Sequence, residues 1–351
     1  MNLLVSNIPP VRLGNSSTVS CFEDLVNAAD GFRIASGFIS ADGIAELKKI
    51  FEINRKSSLE LVIGMHAFSG FTRPQYDAAK YLDDFLRTKR AGEVKIATAF
   101  KFHGKVYSFL KKNIPFASIV GSSNLNSVFD NQNTYETDLL IKEKKEVNEI
   151  NEFITLLSDK ACTPFHQWKV TQFIESSNIL LDGHEGVEKI SKENLVQILS
   201  KRTKVSFKIP IKASAASHSN LNVYFGKGRE DKKGFVKPRH WYEVELIVPH
   251  NITRKAFYPK AGYSNEESII TVYTDDGWKF KCKISGDYSK NFRSSDDLKI
   301  LGRWMKGRLE NSGALKVGEP VTDAVLKKYG RSNFELVGTN DPSVWLLRFG
   351  V

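Results

Sequence analysis

Three cysteines occur in 351 residues, Cys21, Cys162 and Cys282, an odd number set far apart. That excludes a disulfide framework and fits a reducing compartment, so a cytoplasmic location is expected. No apolar run approaches the ~18 residues that a membrane helix needs. The opening MNLLVSNIPPVRLG has no basic stretch followed by an apolar core, so neither a membrane span nor a secretory leader is expected. Internal repeats and low-complexity tracts are missing. So is any G-x-x-x-x-G-K-[ST] phosphate loop, and any use of ATP would therefore have to come from a separate subunit. The cysteine and histidine spacings offer no zinc site: Cys162 and His166 are a lone pair.

What is present suits two domains of ordinary size. Apolar residues make up 41% and aromatics 11%, enough to build packed cores. The net charge of +11 is uneven. Through residue 175 there are 21 Lys and Arg against 20 Asp and Glu, and from 176 onward 30 against 20. A strongly basic second half calls for a polyanionic partner, most simply nucleic acid.

The first half alternates strand and helix signals. Strands are expected at 32–39, 57–68 and 93–100, with helices of apolar periodicity at 41–54 and 74–91, an order that argues for parallel pairing with crossover helices. Three strand-like segments then follow without a helix between them, FHGKVYSFL, FASIVGSSN and YETDLLIKE, before a charged helix at 144–159. The stretch 163–186 has weak periodicity, and the domain boundary is placed there, giving 1–175 and 176–351. The second half is β-rich. Strands are expected at 203–211 and 241–249, in a hairpin turning at Asp275-Asp276-Gly277, and near the C-terminus, with short helices at 298–311 and 322–330. Residues 212–240 are polar, basic and without clear periodicity, as functional segments often are.

The chemistry lies in FHGKVYSFLKKNIPFASIVGSSN and the YETDLLI that follows. Residues i and i+2 of a strand share a face, so His103 and Lys105 project together while Gly104 leaves room opposite. A hairpin turning near Lys112–Asn113 folds Gly121-Ser122-Ser123-Asn124 back towards His103. Glu136, on the next strand, is then placed to accept the second imidazole N–H. An imidazole, an ammonium, an amide and an orienting carboxylate are what phosphodiester cleavage requires. Ser122 is the least specific member, since a serine there also suits a turn. The other histidines belong to no second H-x-K and are read as structural or surface residues. A competing pattern, Glu93-Val94-Lys95 with Asp83 and Asp84 upstream, has the composition of a magnesium-dependent nuclease site, but the aspartates fall on a helical pattern.

H-x-K followed by G-S-x-N and a later acidic residue resembles the active-site motif of the phospholipase D superfamily, over roughly residues 1–170. The superfamily's usual aspartate after the lysine is missing here, where Phe109 and Leu110 stand. The nuclease branch shares that departure and relies on the later glutamate. The resemblance implies a metal-free mechanism with a phosphohistidine intermediate. It also implies a symmetric homodimer, since superfamily sites use two H-x-K motifs and this chain has one.

The second half resembles the pseudobarrel of plant B-three-type transcription factors and of some restriction endonucleases, in which two arms grip the major groove. The arm positions it implies are Ser214, Asn220, Asn222, Lys227 and Arg229 for the first, and Lys290, Arg293 and Ser294 for the second. Asn and Arg suit base contacts, and Lys suits phosphates. Together the halves resemble the NgoFVII-type restriction endonucleases. The fold expected is an α/β phospholipase-D-like domain, a mixed sheet with flanking helices, followed by a β-rich pseudobarrel. The function expected is type II-like, site-specific cleavage of double-stranded DNA, with no intrinsic cofactor. A separate ATP-dependent helicase-type subunit and a cognate methyltransferase are implied partners. The alternatives are a phospholipid or other phosphodiester hydrolase of the same superfamily, and a DNA-binding protein with an inactive nuclease half.

Overall fold

The computed structural model describes residues 1–14, 17–129, 134–174, 181–213, 219–232, 234–261 and 268–351. Two compact units form, Met1–Glu175 with Arg229–Pro238, and Ser176–Gly228 with Arg239–Val351. The boundary expected at 175/176 lies outside the described residues.

The first unit is built on an eight-stranded mixed sheet in the order β1-β7-β6-β5-β2-β3-β4-β8. Its strands are β1 (Asn2–Val5), β2 (Gly31–Ser36), β3 (Ser58–Ile63), β4 (Gly92–Ala97), β5 (Lys105–Lys111), β6 (Ile114–Gly121), β7 (Thr137–Ile141) and β8 (Cys162–Pro164). Pairing of β2 with β3 and of β3 with β4 is parallel, as the alternating pattern predicts, and the rest is antiparallel. The helices are α1 (Thr18–Ala28), α2 (Ala41–Ile53), α3 (His66–Ser69), α4 (Arg73–Thr88) and α5 (Lys144–Ala161). Hydroxyl caps start three of them: Ser17 and Thr72 in capping boxes, and Ser40 on the Gly43 N–H. Strand alternation sorts the core. Ala35, Val62 and Val106 face Ile154, Leu157 and Ala161 of α5, while Phe32, Tyr107 and Phe109 point the other way, where Phe22 of α1 stands edge-on to Tyr107 and Phe109.

The hairpin between β5 and β6 turns where expected. Lys112 and Asn113 both hold positive φ, 51° and 62°, which matches the right-handed twist of the flanking strands. The Asp30 carboxylate accepts the Lys112 N–H at 2.9 Å and so supports this conformation. One strand is shorter than expected. β3 ends at Ile63 rather than near residue 68, because Gly64 lies against the Phe102 carbonyl and α3 begins at His66.

The second unit carries another eight-stranded sheet, β10-β17-β18-β14-β15-β16-β13 with β9 also paired to β15, a β-rich pseudobarrel. Its elements are β9 (Val187–Lys189), α6 (Lys192–Ser200), β10 (Arg202–Pro210), β13 (Leu246–Ile247), α7 (His250–Thr253), β14 (Ser268–Thr274), β15 (Trp278–Ser285), β16 (Asn291–Ser294), α8 (Ile300–Asn311), α9 (Asp323–Tyr329), β17 (Asn333–Thr339) and β18 (Val344–Arg348). Between β10 and β13 the chain forms the hairpin β11 (Arg229–Glu230) and β12 (Val236–Lys237), which belongs to the first unit. Asp275-Asp276-Gly277 turns the β14–β15 hairpin and ties it down: Asp276 accepts the Trp304 indole N–H at 2.8 Å, and Asp275 pairs with Arg308. Gly330, at φ 93°, ends α9 as expected.

The strand expected over 241–249 shrinks to β13. Trp241 and Tyr242 are fully buried and serve side-chain bonds instead of a ladder. The Glu310 carboxylate accepts the Trp241 indole N–H at 2.7 Å and the Tyr242 hydroxyl at 2.8 Å, and the buried Lys306 ammonium donates to the Trp241 carbonyl at 2.6 Å. No helix among the described residues is long and apolar enough to cross a membrane.

Candidate active site and nucleic-acid interface

His103 stands exposed two residues ahead of Lys105, where β5 begins. Lys105 is buried. Its Nζ donates to the His103 carbonyl at 2.8 Å and lies 3.3 Å from the imidazole nitrogens. Equidistant from the two ring nitrogens, the ammonium is in line with neither lone pair and leaves the imidazole nitrogen free. Gly37 makes this approach possible, since a Cβ there would come within 3.0 Å of His103 Cα, and its N–H donates to the Gly104 carbonyl at 2.8 Å. Phe38 sets its ring edge-on to the imidazole, centroids 5.6 Å apart. Burial pulls the Lys105 pKa down, and the nearby Glu136 charge opposes it.

The other wall is the turn that follows β6. A side chain at Gly121 would strike Asp138, with its Cβ 2.2 Å from Oδ1, so the strand ends on glycine. Asn124 accepts the Phe38 N–H on Oδ1 at 3.2 Å. The segment Gly37-Phe38 is thus wedged between His103 and Asn124. Ser122 donates to Glu136 Oε2 at 2.5 Å and Ser127 to Oε1 at 3.0 Å, while Ser122 Oγ also accepts the Thr137 N–H at 2.9 Å. Glu136 was expected to accept from the imidazole. It accepts instead from the two hydroxyls, because it is buried under the turn, and it acts on Lys105 through its charge. Ser122 thus links the turn to the carboxylate.

Sequence reasoning missed Asp138. It is buried and accepts the Ser123 N–H at 3.1 Å, the Ser123 hydroxyl at 2.6 Å and the Thr18 hydroxyl at 2.9 Å. The available signal was the strand period, which puts residues 136 and 138 on one face. His66 is structural, as read: Nδ1 donates to the Gly70 carbonyl at 2.8 Å, Nε2 accepts the Ile39 N–H at 3.2 Å, and burial lowers its pKa.

The competing Glu93/Lys95 pattern does not converge. Lys95 pairs with Glu93 at 3.3 Å and with Asp159 of α5 at 3.4 Å. Asp83 sits on α4, buried, and spends Oδ1 on the Val94 N–H at 2.8 Å. Its pKa is raised by that burial.

The arm residues separate sharply. Ser214 lies outside the described residues. Asn220 is buried, with Oδ1 accepting the Ile247 N–H at 2.9 Å. Asn222 is buried and brackets Val321, donating to its carbonyl at 2.9 Å and accepting its N–H at 2.8 Å. Ser294 is buried, donating to the Asp297 carbonyl at 2.6 Å and accepting the Leu301 N–H at 3.2 Å. These three are buried and hold loops together, whereas the resemblance implied that they contact DNA. Lys227 is exposed, and so is Arg229, which lies in the hairpin of the first unit. Lys290 is half-buried beside Asp287 at 3.4 Å, and Arg293 lies 3.7 Å from Glu245.

Residues 16–169 match the family model described as the NgoFVII restriction endonuclease N-terminal PLD domain. Residues 197–340 match the NgoFVII C-terminal B3-like DNA-binding domain. No curated protein matches the chain. Similar solved structures include NucT from Helicobacter pylori, 14% identical, covering 42% of this chain and 90% of that one with a TM-score of 0.32. A phospholipase D family member, Nuc from Salmonella typhimurium, is 16% identical, covering 46% and 95% with a TM-score of 0.33. Phosphatidylserine synthase from Haemophilus influenzae is 14% identical, covering 48% and 41% with a TM-score of 0.35.

Proposed function

The chain belongs to the NgoFVII restriction endonuclease family and joins a nuclease of the phospholipase D type to a B3-like DNA-binding domain, and we propose that it hydrolyses DNA at specific sequences, without metal, through a phosphohistidine. The observation that carries this reading is the wedge of Gly37-Phe38, which holds the His103–Lys105 pair on one side and the Asn124 amide on the other.

The imidazole lone pair of His103 attacks phosphorus. A P–N bond forms as the bond from phosphorus to the leaving oxygen breaks, and that oxygen takes a proton from His103 of the partner subunit. The same histidine then removes a proton from the water that cleaves the P–N bond. Lys105 and the Asn124 NH₂ face the non-bridging oxygens, where negative charge builds up. A symmetric homodimer supplies the second histidine. In support, Phe100 is half exposed three residues before His103, and Phe102 packs near the exposed Phe153 with ring centroids 6.1 Å apart, an apolar surface suited to a protein contact.

Sequence reading is assigned to the C-terminal domain, which carries the excess positive charge. Lys227, Lys290 and Arg293 remain its DNA-contacting candidates. Dependence on an ATP-dependent helicase-type subunit, and pairing with a methyltransferase, belong to the same reading. The test is digestion of mixed plasmid and genomic DNA in EDTA, wild type beside His103→Ala. Discrete fragments from wild type alone are expected. Cutting that needs magnesium and survives His103→Ala would sink the mechanism.

A further inference from the structure

The chain returns to the nuclease unit long after its sequence has left it. Residues Arg229–Pro238 cluster with Met1–Glu175 rather than with the residues on either side of them. Their hold is specific. Asn54, which ends α2, uses its amide as a strand edge: Nδ2 donates to the Val236 carbonyl at 3.2 Å and Oδ1 accepts the Val236 N–H at 3.1 Å. Lys237 pairs with Glu23 of α1. Between these ties, Phe235 is buried in a cleft it shares with Phe22, Val26, Ile50 and Phe129, where a void of only about 10 Å³ remains.

Two of those neighbours lead to the catalytic turn. Phe129 ends it: the Ser127 and Val128 N–H groups donate to the Asn124 carbonyl, and the Phe129 N–H donates to that of Asn126. Phe22 stands edge-on to Phe129 at 5.4 Å and to Tyr107 at 5.6 Å, and the Tyr107 hydroxyl donates to the Ser123 carbonyl at 2.7 Å. A filled cleft holds both rings in place, whereas an emptied one lets them relax and carries the turn with them.

We infer that Phe235 is a positioning residue for the phosphate-binding turn Ser122–Phe129, and that the Arg229–Pro238 hairpin is part of the nuclease machinery rather than an arm that reads DNA. This rests on the reading of Asn124 as a phosphate-binding group.

The test uses full-length wild type, Phe235→Ala, Phe235→Leu and Asn54→Ala on a plasmid that the wild type cuts. Single-turnover cleavage at saturating protein is measured beside DNA affinity by fluorescence anisotropy. Phe235→Ala is expected to lower the cleavage rate by about a hundredfold, the scale of a small misplacement of a reacting group, with DNA affinity unchanged. Phe235→Leu restores most of the rate, and Asn54→Ala lowers it. Lost affinity with an unchanged saturated rate would make the hairpin a DNA-reading arm and overturn the inference. Unchanged rate and affinity in folded Phe235→Ala would overturn it too. Should Phe235→Ala not fold, Asn54→Ala and Phe235→Leu decide on the same two measurements. Cleavage that survives His103→Ala refutes the site itself, whereas His103-dependent cleavage indifferent to Phe235 refutes only the role of the hairpin.

Discussion

The main-chain N–H of Phe38 donates to Asn124 at 3.2 Å and thereby orients the amide. A backbone N–H only donates, so the atom facing it is Oδ1, and the NH₂ turns away as a fixed donor. A donor placed in advance costs no reorganisation when charge develops on a phosphoryl oxygen.

Asn124→Asp preserves the acceptor for Phe38 and replaces the NH₂ with a negative oxygen. Single-turnover DNA cleavage is expected to fall by about 10²- to 10³-fold, the cost of one oxyanion donor, with thermal unfolding nearly unchanged. A matching collapse of stability would mean that the residue serves the fold alone.

Glu136 opposes the burial that pulls down the Lys105 pKa. Glu136→Gln removes that opposition, so the ammonium loses its proton at lower pH. The alkaline limb of the pH–rate profile is expected to move to lower pH in the variant. A limb that stays put or moves upward contradicts the coupling.

Asp83→Asn and Lys95→Gln are expected to leave DNA cleavage at the wild-type rate, since Asp83 is tied to the Val94 N–H while Lys95 pairs with Glu93 and Asp159. Loss of activity in either variant, assayed with and without magnesium, would restore the acidic-site alternative.

Asn222→Ala strips two buried hydrogen bonds from Val321. A loss of about 3 kcal/mol in urea-induced unfolding is expected, from buried groups left unsatisfied, while the folded fraction retains its DNA sequence preference. A relaxed preference in stable protein would return Asn222 to the DNA-reading surface.

Burial pushes the Asp297 pKa up, but bonds from His184 at 3.3 Å and from the Lys299 N–H at 2.9 Å prevail and hold it well below the ordinary 3.8. An acid depressed in the folded state contributes stability above its unfolded pKa and loses it as pH falls through the folded one. The thermal-stability gap between wild type and Asp297→Asn is expected to hold its full width above about pH 5, to begin narrowing near the ordinary carboxyl pKa of 3.8, and to go on closing as pH falls towards the much lower folded value. A gap independent of pH would show that the charge is not what stabilises.

Much of the fold, and the gathering of the candidate site's residues, was legible in the sequence, because both rest on local rules. Strand period put His103 and Lys105 side by side, the two-residue turn at Lys112–Asn113 set the hairpin register, and glycine at 330 marked a helix end that requires positive φ. The tertiary structure decided what depends on partners distant in the chain. Asn220, Asn222 and Ser294 are polar residues in a polar stretch, and nothing local says that Ile247, Val321 and Leu301 will use up their hydrogen bonds. Trp241 and Tyr242 suit a strand by propensity, yet Glu310 and Lys306 draw them into a buried polar network. Residues 229–238 read as a basic arm until Asn54 and the cleft around Phe235 bind them to the nuclease unit. Periodicity reports which face of an element is buried; it does not report which element, hundreds of residues away, will bury it.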